Sequence, residues 1–481
     1  MYFFVNQGIG HSNSGVEHAQ FYRAARFRAL GLPFKFVFTD HLPQLHQHMG
    51  EWQLAEHDVI GLYDYLLSDA PDDYLHFGTT QPHSYHEDAL WDTQQRQRLL
   101  FRQTTGQYTE TIQRRQQHAD AAKGSWVVDR VILENKTHRI SWHYQYMSDE
   151  VKQPVDIHVD NFRGRHYLFT TQDELLQFFF SELERYFDHN VYLIDRGTAH
   201  ETALVTLKQQ GADLKLGVVI HAAHFVDFVA GHPLWNNHYQ YLFDHVALID
   251  LIVVSTVQQR LDIITQLQKV GVHNVAQKVV VIPVGGVASV AQPRHWAGGT
   301  AKFVTAARLH REKNLTHLIQ AVQQLRQAGE SVTLDIFGVG QEYAPLARQI
   351  QTAQLEGVVT LKGLSQDMVT AMQPYDAFVS ASYSEGFGLA YMEAISLGLP
   401  IATYANQYGA QALVRENVNG HLAAFVPEKT AESQNIVHLT QAMRRILTHY
   451  DALSQGASQV AADFTDERIA AQWQRVLEGL V

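Results

Sequence analysis

The composition describes a globular chain of several domains and excludes whole classes of function. At 481 residues the chain exceeds one ordinary hydrophobic core, so we expect two or three domains. With 0 cysteines it has no disulfide, thiol nucleophile or thiolate metal site, and its net charge of -12 disfavours a general nucleic-acid surface. The apolar runs are too short to cross a bilayer and the first residues lack a basic signal region, so we expect a cytoplasmic location.

The N-terminal residues have the order strand, loop, helix, strand. An apolar start precedes the glycine turn GIGHSNSG, the helical pattern VEHAQFYRAARFRALG and the strand KFVFTD. From about residue 58 to 187 the apolar and polar residues alternate instead, as in WVVDRVILENK and VDIHVDNFRGRHYLF. We therefore predict an antiparallel β-meander at 58–187, inserted into a domain that begins at 1–57.

Strands separated by helices return after the insertion. At 188–287 the segments VYLIDRG, LKLGVVIHAAHF, LIDLIVVST and KVVVIPVGG are predicted buried strands, which complete the first α/β domain. At 288–464 the strand KFVTAAR, the helix LTHLIQAVQQLRQAG and further strands predict a second doubly wound domain. The helix at 465–481 is predicted to pack back on the N-terminal domain. The predicted fold is α/β, with two Rossmann-like domains facing a cleft.

The segment SEGFGLAYMEA combines two glutamates with a glycine turn. Gly386 and Gly388 allow close backbone approach, and the free amides of Gly386 to Leu389 open a predicted helix whose N-terminus favours anionic or hydroxyl ligands. Glu385 lies in the loop and Glu393 about one turn into the helix, so both can face the same cleft. The alternative is an ordinary glycine-rich turn with a solvated acid on each side.

Two cations precede this segment in the same domain. In VTAARLHREKNLTHLI the strand delivers Arg308 at its carboxyl end, and Lys313 follows in the loop that enters the next helix. A guanidinium and an ammonium beside a helix N-terminus can clamp a diphosphate. The alternative is that Lys313, Arg311 and Glu312 only solvate the loop.

The 28 histidines invite a metal interpretation, but they are scattered, and no paired histidines lie beside a carboxylate on a clear helix. We therefore expect no metal site. Gly338 and Gly340 in FGVG match a dinucleotide fingerprint only in part, which disfavours an oxidoreductase.

Arg308, Lys313 and the Glu385 to Glu393 pattern resemble the retaining, nucleotide-sugar-dependent glycosyltransferases of the GT-B fold, in the large family numbered four. The segments NQGIGHSNSGVEHAQFYRA, VVIHAAHF, PLWNNHYQY and VVIPVGG more narrowly resemble the catalytic subunit of the accessory-secretion peptide O-GlcNAc transferases of Gram-positive bacteria. The same subfamily includes the enzymes that α-glucosylate wall teichoic acid, a poly(glycerol/ribitol phosphate). The resemblance covers nearly the whole chain.

The resemblance implies roles for residues on the C-terminal side of the cleft. Arg308 and Lys313 would hold the diphosphate of a UDP-sugar, Glu385 the donor-sugar hydroxyls, and Glu393 the ribose. The amides of the glycine turn would face sugar or phosphate oxygens. These donor-binding positions are Gly386, Phe387, Gly388 and Leu389.

Other implied roles lie on the N-terminal side and in a second loop. The turn at Gly15 would approach the diphosphate from the opposite side, and His221 would lie near the donor sugar, with His224 as the equivalent candidate. Tyr408 and Gly409 match a loop near the nucleotide. Ala410 stands where the peptide-modifying relatives carry a polar amide, which weakens any inference about the acceptor.

The resemblance also implies the reaction and the partners. The sugar, glucose or N-acetylglucosamine, would be transferred with retention from a UDP-sugar without a divalent metal or prosthetic group. The first choice of acceptor is Ser or Thr of a cell-surface protein, with teichoic acid as the alternative. A non-catalytic partner subunit, a homo-oligomer and peripheral contact with the inner membrane face are further expectations. The alternative of another class is a catalytically silent GT-B binding or chaperone subunit.

Overall fold

The residues described by the structure include both predicted α/β regions and most of the stretch between them. The structure is a computed structural model that describes residues 1–79, 84–91, 99–104, 107–116, 126–148, 151–197 and 199–480. Parts of the predicted insertion at 58–187 therefore lie outside the described residues. The described ranges contain two large parallel sheets, one large antiparallel sheet and two short two-stranded sheets.

The first segment alternates strands and helices, as its sequence predicts. Its elements are β1 Tyr2–Asn6, α1 Gly15–Ala29, β2 Phe34–Phe38, α2 Leu45–Glu51, β3 Val59–Gly61, α3 Leu62–Leu66 and α4 Pro71–Phe77. Helix α1 begins where it does because Ser14 and Glu17 form a capping box. Strand β3 pairs in parallel with β2, so the first sheet continues past the predicted boundary at residue 58. A three-residue strand is too short to show a period, which explains the misplaced boundary.

The antiparallel sheet forms the insertion, and a helix ends it. The elements are β4 His86–Trp91, β5 Leu99–Thr104, β6 Thr109–Gln116, β7 Trp126–Glu134, β8 Arg139–Tyr146, β9 Lys152–Phe162, β10 Arg165–Thr171 and α5 Gln172–Tyr186. The seven strands lie side by side in chain order, which is a meander. The prediction of a meander through residue 187 is wrong at its end, because Thr171 caps α5 and the apolar face of α5 joins the core of the first α/β domain.

The chain then completes the first parallel sheet. The elements are β11 Val191–Ile194, α6 Ala199–Gln209, β12 Lys215–Ile220, β13 Phe225–Val229, β14 His232–Trp235, α7 Asn237–Asp244, β15 Leu251–Val254, α8 Val257–Lys269 and β16 Val279–Val281. The sheet order is β16-β15-β12-β11-β1-β2-β3, and every pair is parallel. The predicted strand LKLGVVIHAAHF is too long, since β12 ends at Ile220 and Phe225 begins the separate β13–β14 hairpin.

The C-terminal domain contains the second parallel sheet. The elements are β17 Ala301–Ala306, α9 Leu315–Gln327, β18 Val332–Phe337, α10 Tyr343–Thr352, β19 Val359–Gly363, α11 Met368–Met372, β20 Ala377–Ser380, β21 Ser384–Glu385, α12 Leu389–Ser396, β22 Ile401–Tyr404, β23 Gln407–Tyr408, α13 Gly409–Leu413, β24 Gly420–Ala423, α14 Glu432–Thr448 and α15 Tyr450–Ala461. Its order is β19-β18-β17-β20-β22-β24, again all parallel. Reversals of strand order between neighbouring βα units create the crevices in which such sheets bind ligands.

The last helix, α16 Asp466–Glu478, lies against α1 of the N-terminal domain. Tyr22 donates a hydrogen bond to the Asp466 carboxylate at 2.8 Å, and Arg26 forms an ion pair with the same group. Trp473 packs edge-on against Phe27 at a centroid distance of 5.4 Å. The end of the chain therefore joins the two α/β domains.

A helix that crosses a membrane must be both long and apolar. Within the described ranges, none is both long enough and apolar enough to span a membrane.

Candidate active site

A cleft of about 690 Å³ separates the two parallel sheets, and both domains contribute its walls. Much of the lining follows the carboxyl ends of strands β11, β12 and β17, where open α/β sheets bind their ligands. The N-terminal domain supplies residues 13–16, 195–196, 221–222 and 238–239, and the C-terminal domain supplies residues 306–308, 312–314 and 383–391. The predicted catalytic and donor-binding residues of both halves therefore meet in one place, except for Glu393.

The glycine turn of the C-terminal domain forms one end of the cleft. Glu385 is not in an irregular loop as predicted, because Ser384 and Glu385 form the short strand β21, paired with β23. Gly388 caps α12 with a φ of +87°, a conformation that favours glycine, and no side chain caps this helix. The amides that open α12 are thus available to an anion in the cleft.

Glycine at 386 serves a different purpose. A Cβ at this position would collide with the carbonyl oxygen of His221, which belongs to the other domain. The turn can therefore approach the N-terminal domain only because residue 386 has no side chain.

The two predicted cations line the same cleft. Arg308 lies just beyond β17 and donates a hydrogen bond to Glu312 at 2.8 Å, with its side chain 67% exposed. Lys313 ends a short 3-10 helix and donates to Glu385 Oε1 at 2.6 Å, where both side chains are mostly buried. Each cation is thus paired with a glutamate of the same cleft, and the two cations and the helix N-terminus are the groups of this wall that can bind a diphosphate.

A second helix N-terminus faces the cleft from the N-terminal domain. Ser14 caps α1, and Gly15 is the first residue of that helix rather than a turn residue as predicted. Arg196 follows β11 and donates to the Ser14 hydroxyl at 3.3 Å, which places a third cation in the lining. The positive ends of α1 and α12 therefore face the same space.

His221 lines the cleft, whereas His224 is fully buried behind it. His221 Nε2 lies 2.7 Å from a carboxylate oxygen of Asp195. His224 Nε2 bonds to Gln266 at 3.0 Å, its ring stacks on Tyr408, and desolvation lowers its pKa to about 4. Of the two candidates, His221 is the one in a position to meet a ligand.

Asp195 is an ionised carboxylate buried in the wall of the cleft. Burial alone would raise its pKa, but the charge of Arg23 and the hydrogen bond from His221 hold the pKa at about 2. Arg23 Nη1 donates to it at 3.0 Å and Gln20 at 2.7 Å. Neither Asp195 nor Arg196 is among the predicted site residues. The sequence feature that indicates them is that both are charged and directly follow a buried strand.

Glu393 is the exception, since it is not among the residues that line the cleft. It lies half-buried in the second turn of α12, and burial followed by the charge of Asp367 raises its pKa to about 7. Tyr408 likewise lies outside the lining, paired with Glu385 through the β21–β23 ladder, and Ala410 is fully buried. Across the described ranges, no three His, Asp or Glu side chains are grouped so that they could hold a metal ion.

The chain is similar to a known protein family and to curated proteins. Residues 290–450 match the family "Glycosyl transferases group 1". The chain is 27% identical to the UDP-N-acetylglucosamine--peptide N-acetylglucosaminyltransferase GtfA subunit of Streptococcus gordonii. This match covers 98% of the chain and 97% of the relative. A shorter match, 30% identical over 37% of the chain and 26% of the relative, is to the poly(glycerol-phosphate) alpha-glucosyltransferase of Bacillus subtilis.

Solved structures share the fold over the entire chain. The pneumococcal O-GlcNAc transferase GtfA, in complex with UDP and GlcNAc, matches with a TM-score of 0.73 at 24% identity, over 100% of this chain and 98% of its own. A chain of the GtfA/B complex matches with a TM-score of 0.73 at 25% identity, over 100% of this chain and 99% of its own. With the family match and the two-domain cleft, these similarities identify the chain as a glycosyltransferase of the GT-B fold.

Proposed function

We propose that this glycosyltransferase moves a hexose, N-acetylglucosamine or glucose, from a UDP-sugar to an acceptor hydroxyl with retention of configuration. The observation that carries the proposal is the convergence of Arg308, Lys313 and the uncapped N-terminus of α12 in one cleft. The names of the relatives support UDP-N-acetylglucosamine as the first donor to test. The proposed donor contacts are Arg308 and Lys313 on the diphosphate, Glu385 on the sugar, Glu393 on the ribose, and the amides of 386–389 on sugar or phosphate oxygens.

The chemistry follows from where charge develops. As the bond from the anomeric carbon to the diphosphate breaks, negative charge grows on the departing phosphate and the sugar gains oxocarbenium character. Arg308, Lys313 and the α12 amides stabilise the phosphate, which is electrostatic preorganisation. The acceptor oxygen bonds to the same face of the anomeric carbon, and the departing phosphate oxygen takes its proton, so no separate base is required.

The same cations bear on the metal requirement. Arg308, Lys313 and two helix N-termini line the cleft and are the groups proposed to meet the negative charge of the diphosphate leaving group. We therefore propose that turnover needs no divalent metal ion.

A Ser or Thr side chain of a polypeptide is the proposed acceptor, with a poly(glycerol/ribitol phosphate) as the alternative. The full-length similarity to a peptide N-acetylglucosaminyltransferase favours the peptide, whereas the similarity to a poly(glycerol-phosphate) alpha-glucosyltransferase covers 37% of the chain. A silent binding subunit is disfavoured because Arg308, Lys313, Glu385 and Glu393 are all present.

The proposal also includes a partner subunit and a cellular location. A second GT-B subunit is the first candidate partner, since a similar chain occurs in the GtfA/B complex, and a homo-oligomer is the alternative. We propose that the enzyme works in the cytoplasm, with peripheral contact at the inner membrane face.

One set of assays that combines each donor with each acceptor tests both assignments. The purified chain is given UDP-glucose or UDP-N-acetylglucosamine with EDTA, and offered a Ser-rich polypeptide, with or without a partner subunit, or wall teichoic acid. We expect transfer of N-acetylglucosamine to the peptide, resistant to EDTA. Transfer only to the polymer would move the acceptor assignment to teichoic acid. No transfer or hydrolysis of either donor under any condition would contradict the proposed enzyme.

The proposed ribose contact of Glu393 predicts a pH-dependent UDP affinity. A carboxylate that accepts hydrogen bonds from ribose hydroxyls binds best when ionised, and the pKa of Glu393 is raised to about 7. UDP binding should therefore strengthen as the pH rises through 7, and the ionised fraction grows roughly tenfold between pH 6 and pH 8. Isothermal titration calorimetry across this range measures the change in Kd.

Glu393→Gln is the matched variant, because the amide keeps the shape but does not titrate. The phosphate of UDP also titrates near pH 6, and the variant isolates that contribution. We expect weaker UDP binding by Glu393→Gln and a shallower pH dependence. Identical pH profiles for the two proteins would contradict a ribose contact by Glu393.

A further inference from the structure

Asp195 holds the ring of His221 from within the wall of the cleft. Its carboxylate receives the hydrogen bond from His221 at 2.7 Å and is itself completely buried. Burying an ionised carboxylate is costly unless it is paired and hydrogen-bonded. The residues that pair it, Arg23 and Gln20, are also completely buried or nearly so, which fixes the carboxylate in place.

The support for this carboxylate extends into the surrounding core. The guanidinium of Arg23 lies over the ring of Phe4 at 4.4 Å and over Trp473 of α16 at 5.7 Å. Arg23 therefore cannot turn away from Asp195 without disrupting the packing of α1 against α16. Arg23 therefore holds the Asp195 carboxylate in one orientation, as side chains that support a functional residue do.

The backbone of His221 is fixed independently of its side chain. The hydroxyl of Tyr239 accepts hydrogen bonds from the amides of His221 and Ala222, at 3.0 and 3.3 Å. Gly386 of the other domain packs against the His221 carbonyl. With the backbone fixed, the contact with Asp195 determines how the ring is turned and which ring nitrogen carries hydrogen.

We propose that Asp195 is a positioning residue that fixes the tautomer of His221 for the transfer reaction. The ionised carboxylate accepts only, so Nε2 keeps its hydrogen and Nδ1 is the ring nitrogen left for the donor sugar. Nδ1 has no hydrogen-bond partner among the described residues. Nδ1 then accepts a hydrogen bond from a sugar hydroxyl. This inference rests on the proposed UDP-sugar transfer.

Asp195→Asn tests the tautomer directly. Asp195 Oδ2 accepts from Gln20 and Arg23 Nη2, whereas Oδ1 accepts from His221 Nε2 and Arg23 Nη1. The amide oxygen of asparagine takes the Oδ2 position, where two donors converge, so its NH₂ group faces His221 Nε2. Nε2 must then accept, the hydrogen moves to Nδ1, and the atom facing the sugar becomes a donor. In a serine protease, the aspartate-to-asparagine change that imposes the wrong histidine tautomer lowers kcat by about 10⁴, so we expect a fall of at least about a hundredfold here.

A double-mutant cycle separates positioning from direct contact with the substrate. If Asp195 acts through the ring, Asp195→Asn should change kcat by less than about threefold when His221 is already alanine. UDP affinity should stay within about twofold in all variants, because Asp195 does not touch the nucleotide in the proposal. Independent, multiplicative losses in the cycle would overturn the positioning role.

A second measurement covers the case in which an unpaired Arg23 prevents folding. The double variant Arg23→Gln with Asp195→Asn removes both buried charges, and thermal melting checks its fold. Nitrogen NMR of ¹⁵N-histidine-labelled protein, with the His221 signals assigned by their loss in His221→Ala, reports the tautomer without any turnover. We expect an Nε2–H ring in the wild type and an altered tautomer in the double variant.

The NMR result also separates this inference from the proposed function. An Nδ1–H ring in the wild type overturns the role of Asp195 even if the enzyme is active. A wild type that binds UDP but neither transfers nor hydrolyses any UDP-sugar contradicts the proposed function, and the role of Asp195 in catalysis with it.

Discussion

Replacing Arg308 or Lys313 by alanine is expected to lower the turnover of the UDP-sugar by about a hundredfold or more. Both side chains line the cleft beside the N-terminus of α12, where the diphosphate is proposed to leave. A preorganised charge that meets the developing negative charge contributes about 10²–10³ in kcat. Lys313 should have the larger effect, because its side chain is 16% exposed and that of Arg308 is 67% exposed, and burial strengthens electrostatic interactions.

Arg311→Ala is the matched control for these variants. Arg311 belongs to the same short 3-10 helix as Lys313, but its side chain is 86% exposed and its ion pair is with Glu342, outside the cleft. Its loss should change kcat by less than about threefold, as expected for an exposed ion pair. Steady-state kinetics with one donor measure all three variants. Equal losses of kcat in Arg311→Ala and Lys313→Ala would contradict a specific contact with the diphosphate, because any nearby positive charge would then have the same effect.

The C-terminal half of the site follows from local sequence. Arg308 lies at the end of an apolar strand, and Glu385 to Leu389 surround a strand-to-helix turn that only glycine permits. In a parallel sheet the carboxyl ends of the strands lie along one edge, so residues far apart in sequence meet there without any knowledge of side-chain contacts. The fold and the C-terminal wall of the cleft could be predicted for this reason.

The N-terminal half depends on contacts that the sequence does not display. Asp195 interacts with Arg23, which is 172 residues away and on a helix, and neither side chain has a local partner that reveals the pair. The β13–β14 hairpin and α5 are also absent from the elements that the sequence predicts. The strands β13 and β14, of 5 and 4 residues, are too short to show a period. Helix α5 has 15 residues with an amphipathic pattern, but it follows β10 directly, without a turn signal to separate it from the meander.

Replacing Glu385 by glutamine is expected to abolish sugar transfer while leaving UDP bound. Glu385 is proposed to hold hydroxyls of the donor sugar, and a neutral amide in the same shape loses the charge-assisted hydrogen bonds that strengthen in the transition state. The structure also predicts the direction in which the affinity for UDP should change. Glu385 accepts from Lys313 at 2.6 Å, so removing its charge leaves Lys313 free for the diphosphate. UDP affinity should therefore be unchanged or slightly tighter.

Glu312→Gln distinguishes this effect from the simple loss of a carboxylate in the cleft. Glu312 lines the same cleft and pairs with Arg308 at 2.8 Å, yet its side chain is 50% exposed and no sugar contact is proposed for it. Calorimetry with UDP and transfer assays with the UDP-sugar are compared for both variants. If Glu385 grips the sugar, only Glu385→Gln loses transfer and neither variant loses UDP. A parallel loss of UDP binding in Glu385→Gln and Glu393→Gln would show that the two glutamates share one ligand group, because separate sugar and ribose contacts require the two variants to differ.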